Sequence, residues 1–205
     1  AWPTAVKNAV LTILYSFNEH SVDELLKIAN DKSANSIKSV NLLCKMAAKG
    51  IEEEKIIDSI IYIMDTFSDE NVIATLGFLS QVKNNTKVLK TLEVYFKKYI
   101  YDNNIESAYD ITLSIINNVG NYTTEQLIFL KAVAISDEVL DLSMILKDEK
   151  GTFDLSSVPE DLRLKATLSY YSLYNKDEEI NSKLMYLRDN SLDIELRKYL
   201  TEILE

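Results

Sequence analysis

Apolar residues return along most of this chain at the spacing of helix faces. Val6, Val10, Ile13, Leu14 and Phe17 fall on one stripe. Ile56, Ile60, Ile63 and Phe67 fall on another, flanked by Ile57, Ile61 and Met64, and a stripe this broad belongs to a helix covered on two sides. Ile111, Ile115 and Val119 continue the pattern, as do Leu184, Leu187, Leu196, Leu200 and Leu204. Polar residues with capping chemistry mark where the segments open. Ser21 with Glu24, Thr123 with Gln126 and Ser157 with Glu160 have the spacing of reciprocal caps, and Asn175 with Glu178 is a looser version. Ser68 before Asp69 and Glu70, like Ser136 before Asp137 and Glu138, sets carboxylates at the positive end of a helix dipole, and Pro159 suits a first helical turn. Gly50, Gly120, Gly151 and the Asn pairs at 84, 103 and 117 read as breaks. Together these signals predict roughly a dozen helices of about 10 to 17 residues joined by short links.

Short helices with short links leave two architectures: helical hairpins stacked as a short α-solenoid, or a compact multi-helix bundle. Broad stripes favour the stack, where each helix meets both its hairpin partner and the next hairpin. The stretches "DENVIATLGFLSQV" and "DIELRKYLTEIL" resemble the second helices of HEAT or armadillo repeats. That resemblance implies an α-solenoid with a concave face that receives a partner protein. No constant period aligns the units: "SDENV" and "SDEVL" begin at 68 and 136, and nothing similar stands halfway. The expected organisation is one all-α domain over residues 1–205, with a candidate boundary, or else an ordered loop, at 147–159, where "KDEKGTFDLSSVP" carries one of the two prolines and one of the four glycines.

Composition supports helices. Four glycines and two prolines in 205 residues are few for a sheet protein with many tight turns. The single cysteine, Cys44, forms no internal disulfide, and "NLLCKMAA" reads as a buried helical face in a reducing, cytoplasmic setting. Asp58 and Asp65 interrupt the most apolar run, "IIDSIIYIMDTF", so no membrane partner is expected. The stretch "AWPTAVKN" lacks the basic region of a secretory signal.

Local chemistry is sparse. His20 is the only histidine, with no second histidine or cysteine near enough in sequence to complete a metal site, and it reads as a surface or capping residue. Cys44 would have to borrow that distant histidine to act as a nucleophile. The carboxylate groups at 52–54, 69–70, 137–141, 148–149 and 177–179 fall near predicted helix ends, where the dipole accounts for them. Phosphate loops, zinc spacings and calcium loops are missing from the sequence. The expectation is a non-enzymatic protein with no catalytic residue, metal or cofactor, binding another protein as an adaptor or assembly subunit.

Two features suggest where partners would touch. Residues 83–98, "KNNTKVLKTLEVYFKK", hold five lysines and one glutamate in a chain of net charge −10. On a helix starting near Thr86, Lys87, Lys90, Lys97 and Lys98 share one side with Val94, while Val88, Leu89, Leu92, Tyr95, Phe96 and Tyr99 cover the other. Aromatic residues opposite the cations disfavour single-stranded stacking, and the negative total disfavours nucleic acid generally. A nucleic-acid contact through the lysine stripe is therefore the alternative to protein binding. The second feature is "SYYSLYNK", where Tyr170 and Tyr174 share a helix face and suit either an interface or a helix–helix seam.

Overall fold

The computed structural model describes residues 4–16, 18–31, 33, 35–136 and 138–205. Within them the chain is all-α, with eleven α-helices and a single two-stranded hairpin. The chain divides into two compact units, Ala1–Tyr99 with Asp110–Asn121, and Ile100–Tyr109 with Tyr122–Glu205. Phe17 and Asp137 lie outside the described residues.

The first unit opens with α1 (Thr4–Ser16) and a 3-10 turn over Asn18–Ser21, followed by α2 (Val22–Asn30), α3 (Ser36–Ala47), α4 (Glu53–Met64) and α5 (Asp69–Leu79). It takes most of α6 (Thr86–Tyr101) and the later part of α7 (Ile105–Val119). From α1 to α5 consecutive helices pack together, and so do alternate ones, α2 against α4 and α3 against α5. This explains the broad stripe on α4: Ile56, Ile57, Ile60, Ile63 and Met64 are all buried because the helix has neighbours on two sides. Each such side chain contributes about 2 kcal/mol of burial. The starts of α2, α4 and α6 are 31 and 33 residues apart, and those of α3, α5 and α7 are 33 and 36 apart. The stripe expected on α1 is shifted, with Leu11 buried and Val6 and Ile13 exposed. Helix α1 packs against α2, α3 and the 3-10 turn.

The second unit contains α8 (Thr124–Ile135), β1 (Val139–Asp141), β2 (Thr152–Asp154), α9 (Glu160–Leu173), α10 (Glu178–Asn190) and α11 (Ile194–Leu204). The antiparallel register pairs Leu140 with Phe153, whose ring turns inward against Phe129 of α8 at 6.1 Å. Residues 147–159 lie within this unit. Arg163 of α9 is buried, and its guanidinium donates to the carbonyls of Val133 at 3.4 Å, Ser136 at 2.6 Å and Leu155 at 3.0 Å. One cation thereby joins the carbonyl end of α8, where the dipole favours positive charge, to the end of the hairpin.

Helix ends follow capping chemistry, though several caps differ from the sequence expectation. Thr123 and Gln126 form the reciprocal box, at 2.9 and 3.4 Å. Ser21 precedes α2 but donates its hydroxyl to Leu14, and α9 is preceded by Pro159 rather than capped by Ser157. Asp177, not Asn175, caps α10. Ser68 opens α5 without using its hydroxyl, whereas Ser136 closes α8 and leads into β1, so the second "SDE" starts no helix. The Asn pairs at 84 and 103 each perform two tasks. Asn84 and Asn103 take left-handed φ values of 55° and 50°, and Asn85 and Asn104 then accept from the first amides of α6 and α7. The pair at 117 is no break. Asn118 is buried inside α7 and donates to Val82 at 2.6 Å, while Asn117 donates to Ser80 and accepts from Lys83.

Candidate partner-binding surfaces

Helix α6 starts at Thr86 and sorts its side chains by face. Val88, Leu92 and Tyr99 are buried; Lys87, Lys90, Lys97 and Lys98 are exposed, with Val94 66% exposed among them. The stripe is not a bare row of cations. Asp58 of α4 accepts from Lys87 at 2.8 and 2.9 Å, and Asp69 of α5 lies 3.6 Å from Lys98. Lys98 also stands over the rings of Tyr99 and Tyr95, at 5.1 and 5.8 Å. Hydrogen bonding to Asp58 raises the Lys87 ammonium above its ordinary value, so it stays charged but partnered. These acids sit 29 residues from their lysines in sequence, beyond the reach of any periodicity argument.

The tyrosine pair separates. Tyr170 is buried and donates to Asp177 at 3.0 Å; Tyr174 is 39% exposed and meets the Tyr170 ring edge-on at 6.2 Å. Burial first, then the bond to Asp177, pushes the Tyr170 phenol up to about 12. Asp177 is a junction. It accepts from Lys131 of α8 at 2.8 Å, from Tyr170 of α9, and from the amides of Glu179 and Ile180 at 3.1 and 3.2 Å. Burial alone would raise its carboxyl, but Lys131, the Ile180 amide and the Tyr170 hydroxyl outweigh that and hold it below the ordinary carboxylate value. This cluster is a helix–helix seam, in which the Tyr170 ring is buried and the Tyr174 ring reaches the surface.

A groove of about 650 Å³ lies between α2 and α4, lined by Asp23, Leu26, Lys27, Asn30, Asp58, Ser59, Tyr62 and Ile63. Its charges are balanced within the unit: Asp23 meets Lys55 at 2.9 Å, Lys27 meets Glu24 at 2.6 Å, and Asp58 meets Lys87. What remains for a ligand is an apolar floor, two neutral polar side chains and Tyr62, which is 80% exposed. Sequence reasoning passed over Tyr62 because it sits inside the most apolar run. The signal was present, since Asp58, Tyr62 and Asp65 follow one another at four and three residues and so place the ring on the polar face of α4.

Cys44 is buried, and burial pushes its thiol up to about 12, far from a reactive thiolate. His20 is exposed, and the side chain of Glu19 lies outside what is described. Among the described residues, no group of three or more histidine, cysteine, aspartate or glutamate side chains is arranged to hold a metal ion, and no helix is long and apolar enough to cross a membrane. Comparison with protein-family models, with curated proteins and with solved structures finds no match.

Proposed function

We propose that the chain is a non-enzymatic protein-binding module of the helical-repeat kind, serving as an adaptor or as a subunit of a larger assembly. The observation that carries this reading is the groove between α2 and α4. Alternate-helix packing creates it, its own ion pairs neutralise its rim, and Tyr62 projects from its wall. An exposed tyrosine beside a neutral, apolar floor is the composition of an interface anchor, because the ring buries a large area with little entropy to lose. Stacking of α2 on α4 and α3 on α5, at helix starts that recur every three dozen residues or fewer, supports the solenoid over the bundle within the first unit.

The nucleic-acid alternative rests on the lysine stripe and is weaker. Asp58 and Asp69 already engage two of its four lysines, and a phosphate backbone would have to displace them or accept reduced charge. The test of the protein-binding reading is a photoreactive amino acid placed at Ser59, on the groove wall, and irradiated in extract of the source cells. A discrete protein adduct that weakens at least about tenfold in the Tyr62→Ala background, with helical content unchanged, is expected. No adduct, or the same adducts from Lys147 in the other unit, would overturn it.

A further inference from the structure

The two units differ sharply in charge. The first carries 12 lysines and arginines against 13 aspartates and glutamates, whereas the second carries 10 against 19. Within that acidic second unit one concavity is basic. A groove of about 580 Å³ between α10 and α11 is lined by Arg188, Asp189, Ile194, Arg197, Lys198 and Thr201. Ile194, Arg197, Lys198 and Thr201 stand at i, i+3, i+4 and i+7, so they form one face of α11. The opposite side of that helix supplies the packing, with Leu200 buried and Leu196 and Ile203 half-buried.

The cations are unequally engaged. Arg188 donates to Asp189 at 2.8 and 3.3 Å, and Glu205 acts on it from further away. Among the described residues neither Arg197 nor Lys198 has an acidic partner within ion-pair distance, although acids outnumber bases nearly two to one in the unit around them. In the same groove Ile194 is 69% exposed, and Leu192, two residues before it in the chain, is 98% exposed. Two unengaged cations sharing a groove with a bare aliphatic side chain form a surface that lacks its complement.

We propose that the α11 face of the second unit binds a short acidic segment of a partner protein, its carboxylates meeting Arg197 and Lys198 and an apolar side chain covering Ile194 and Leu192. Charge complementarity selects an anionic occupant, and the adjoining aliphatic side chains select a peptide over a polyphosphate. A second copy of this chain is one of the outcomes that the test below separates. This surface is independent of the α2–α4 groove, so its failure leaves the reading above standing.

The probe is a short fluorescein-labelled peptide alternating Glu and Leu, followed by fluorescence anisotropy with the full chain at low salt. The parent protein is expected to bind it, with affinity reduced about tenfold in Arg197→Ala/Lys198→Ala and severalfold in Ile194→Ala. All three positions are exposed, so the fold is retained, and circular dichroism checks this. The same peptide with Gln for Glu should bind at least about tenfold more weakly. Absence of peptide binding by the parent protein overturns the proposal, as does equal loss in the control Lys147→Ala/Lys150→Ala. Tighter capture of a single-stranded oligonucleotide that displaces the peptide assigns the face to nucleic acid instead, and a protein-dependent shift to dimers that blocks the peptide assigns it to self-association.

Discussion

Replacing Asp177 separates the tasks that one carboxylate performs at the junction of α8, α9 and α10. In Asp177→Ala the helix loses its cap, at a cost of about 1 kcal/mol. The buried Tyr170 hydroxyl loses its acceptor, at about 1 to 2 kcal/mol. The ion pair to Lys131, whose side chain is a third exposed, adds about 0.5 kcal/mol after solvent screening. The sum is about 3 kcal/mol at neutral pH. Asn at the same position still caps and still accepts from Tyr170, so Asp177→Asn should cost only about 0.5 to 1 kcal/mol. The sign of the pH dependence follows from the lowered carboxyl. Its stabilisation is complete above the ordinary carboxylate value near about 4 and is lost as pH falls through the lower folded value. Urea unfolding followed by far-ultraviolet circular dichroism, at about pH 7 and about pH 3, reads these differences directly. The reasoning is refuted if alanine and asparagine cost the same, or if the gap between parent and asparagine variant widens in acid.

Three further outcomes follow from the same structure. Arg163→Met keeps the apolar stem but leaves the carbonyls of Val133, Ser136 and Leu155 without their cation, and urea melts should register a loss of about 3 kcal/mol. Cys44, buried and with its thiol pushed up to about 12, should resist an aromatic disulfide reagent in the folded protein; labelling should accelerate at least about a hundredfold in denaturant. Replacing Lys87, Lys90, Lys97 and Lys98 together by Glu should change single-stranded oligonucleotide retention at low salt by less than about twofold, because the parent is expected to retain almost none; strong retention by the parent that disappears in the variant would favour the nucleic-acid reading.

Helices were legible in the sequence wherever local chemistry decides. Apolar spacing located α4, and Thr123 with Gln126 located the start of α8, because both signals act over one or two turns. The two "SDE" stretches diverge for a non-local reason. The segment after Ser68 has apolar residues at helical spacing that α3 covers, whereas the one after Ser136 is drawn into pairing with Thr152–Asp154 and anchored by Arg163. Strands of three residues leave almost no alternating pattern to read. The lysine stripe was legible as a face but not as a partnered one, since Asp58 and Asp69 arrive from other helices. Tyr170 lies within α9, whereas Tyr174 falls just past its end with extended backbone and so leaves the shared face the spacing suggested, and Asp177 and Lys131 close over only the first. Arg197 and Lys198 form a groove only when α10 lies alongside, which no spacing within α11 announces.

Hydroxyl-radical footprinting of the partner complex isolated by crosslinking, compared with the protein by itself, tests the binding account most directly. The ring of Tyr62 should oxidise readily in the unbound chain and at least about fivefold more slowly in the complex, while exposed Met144 keeps its rate. Unchanged oxidation of Tyr62 in a saturated complex would contradict the account, because the groove between α2 and α4 would then be empty when the partner is bound.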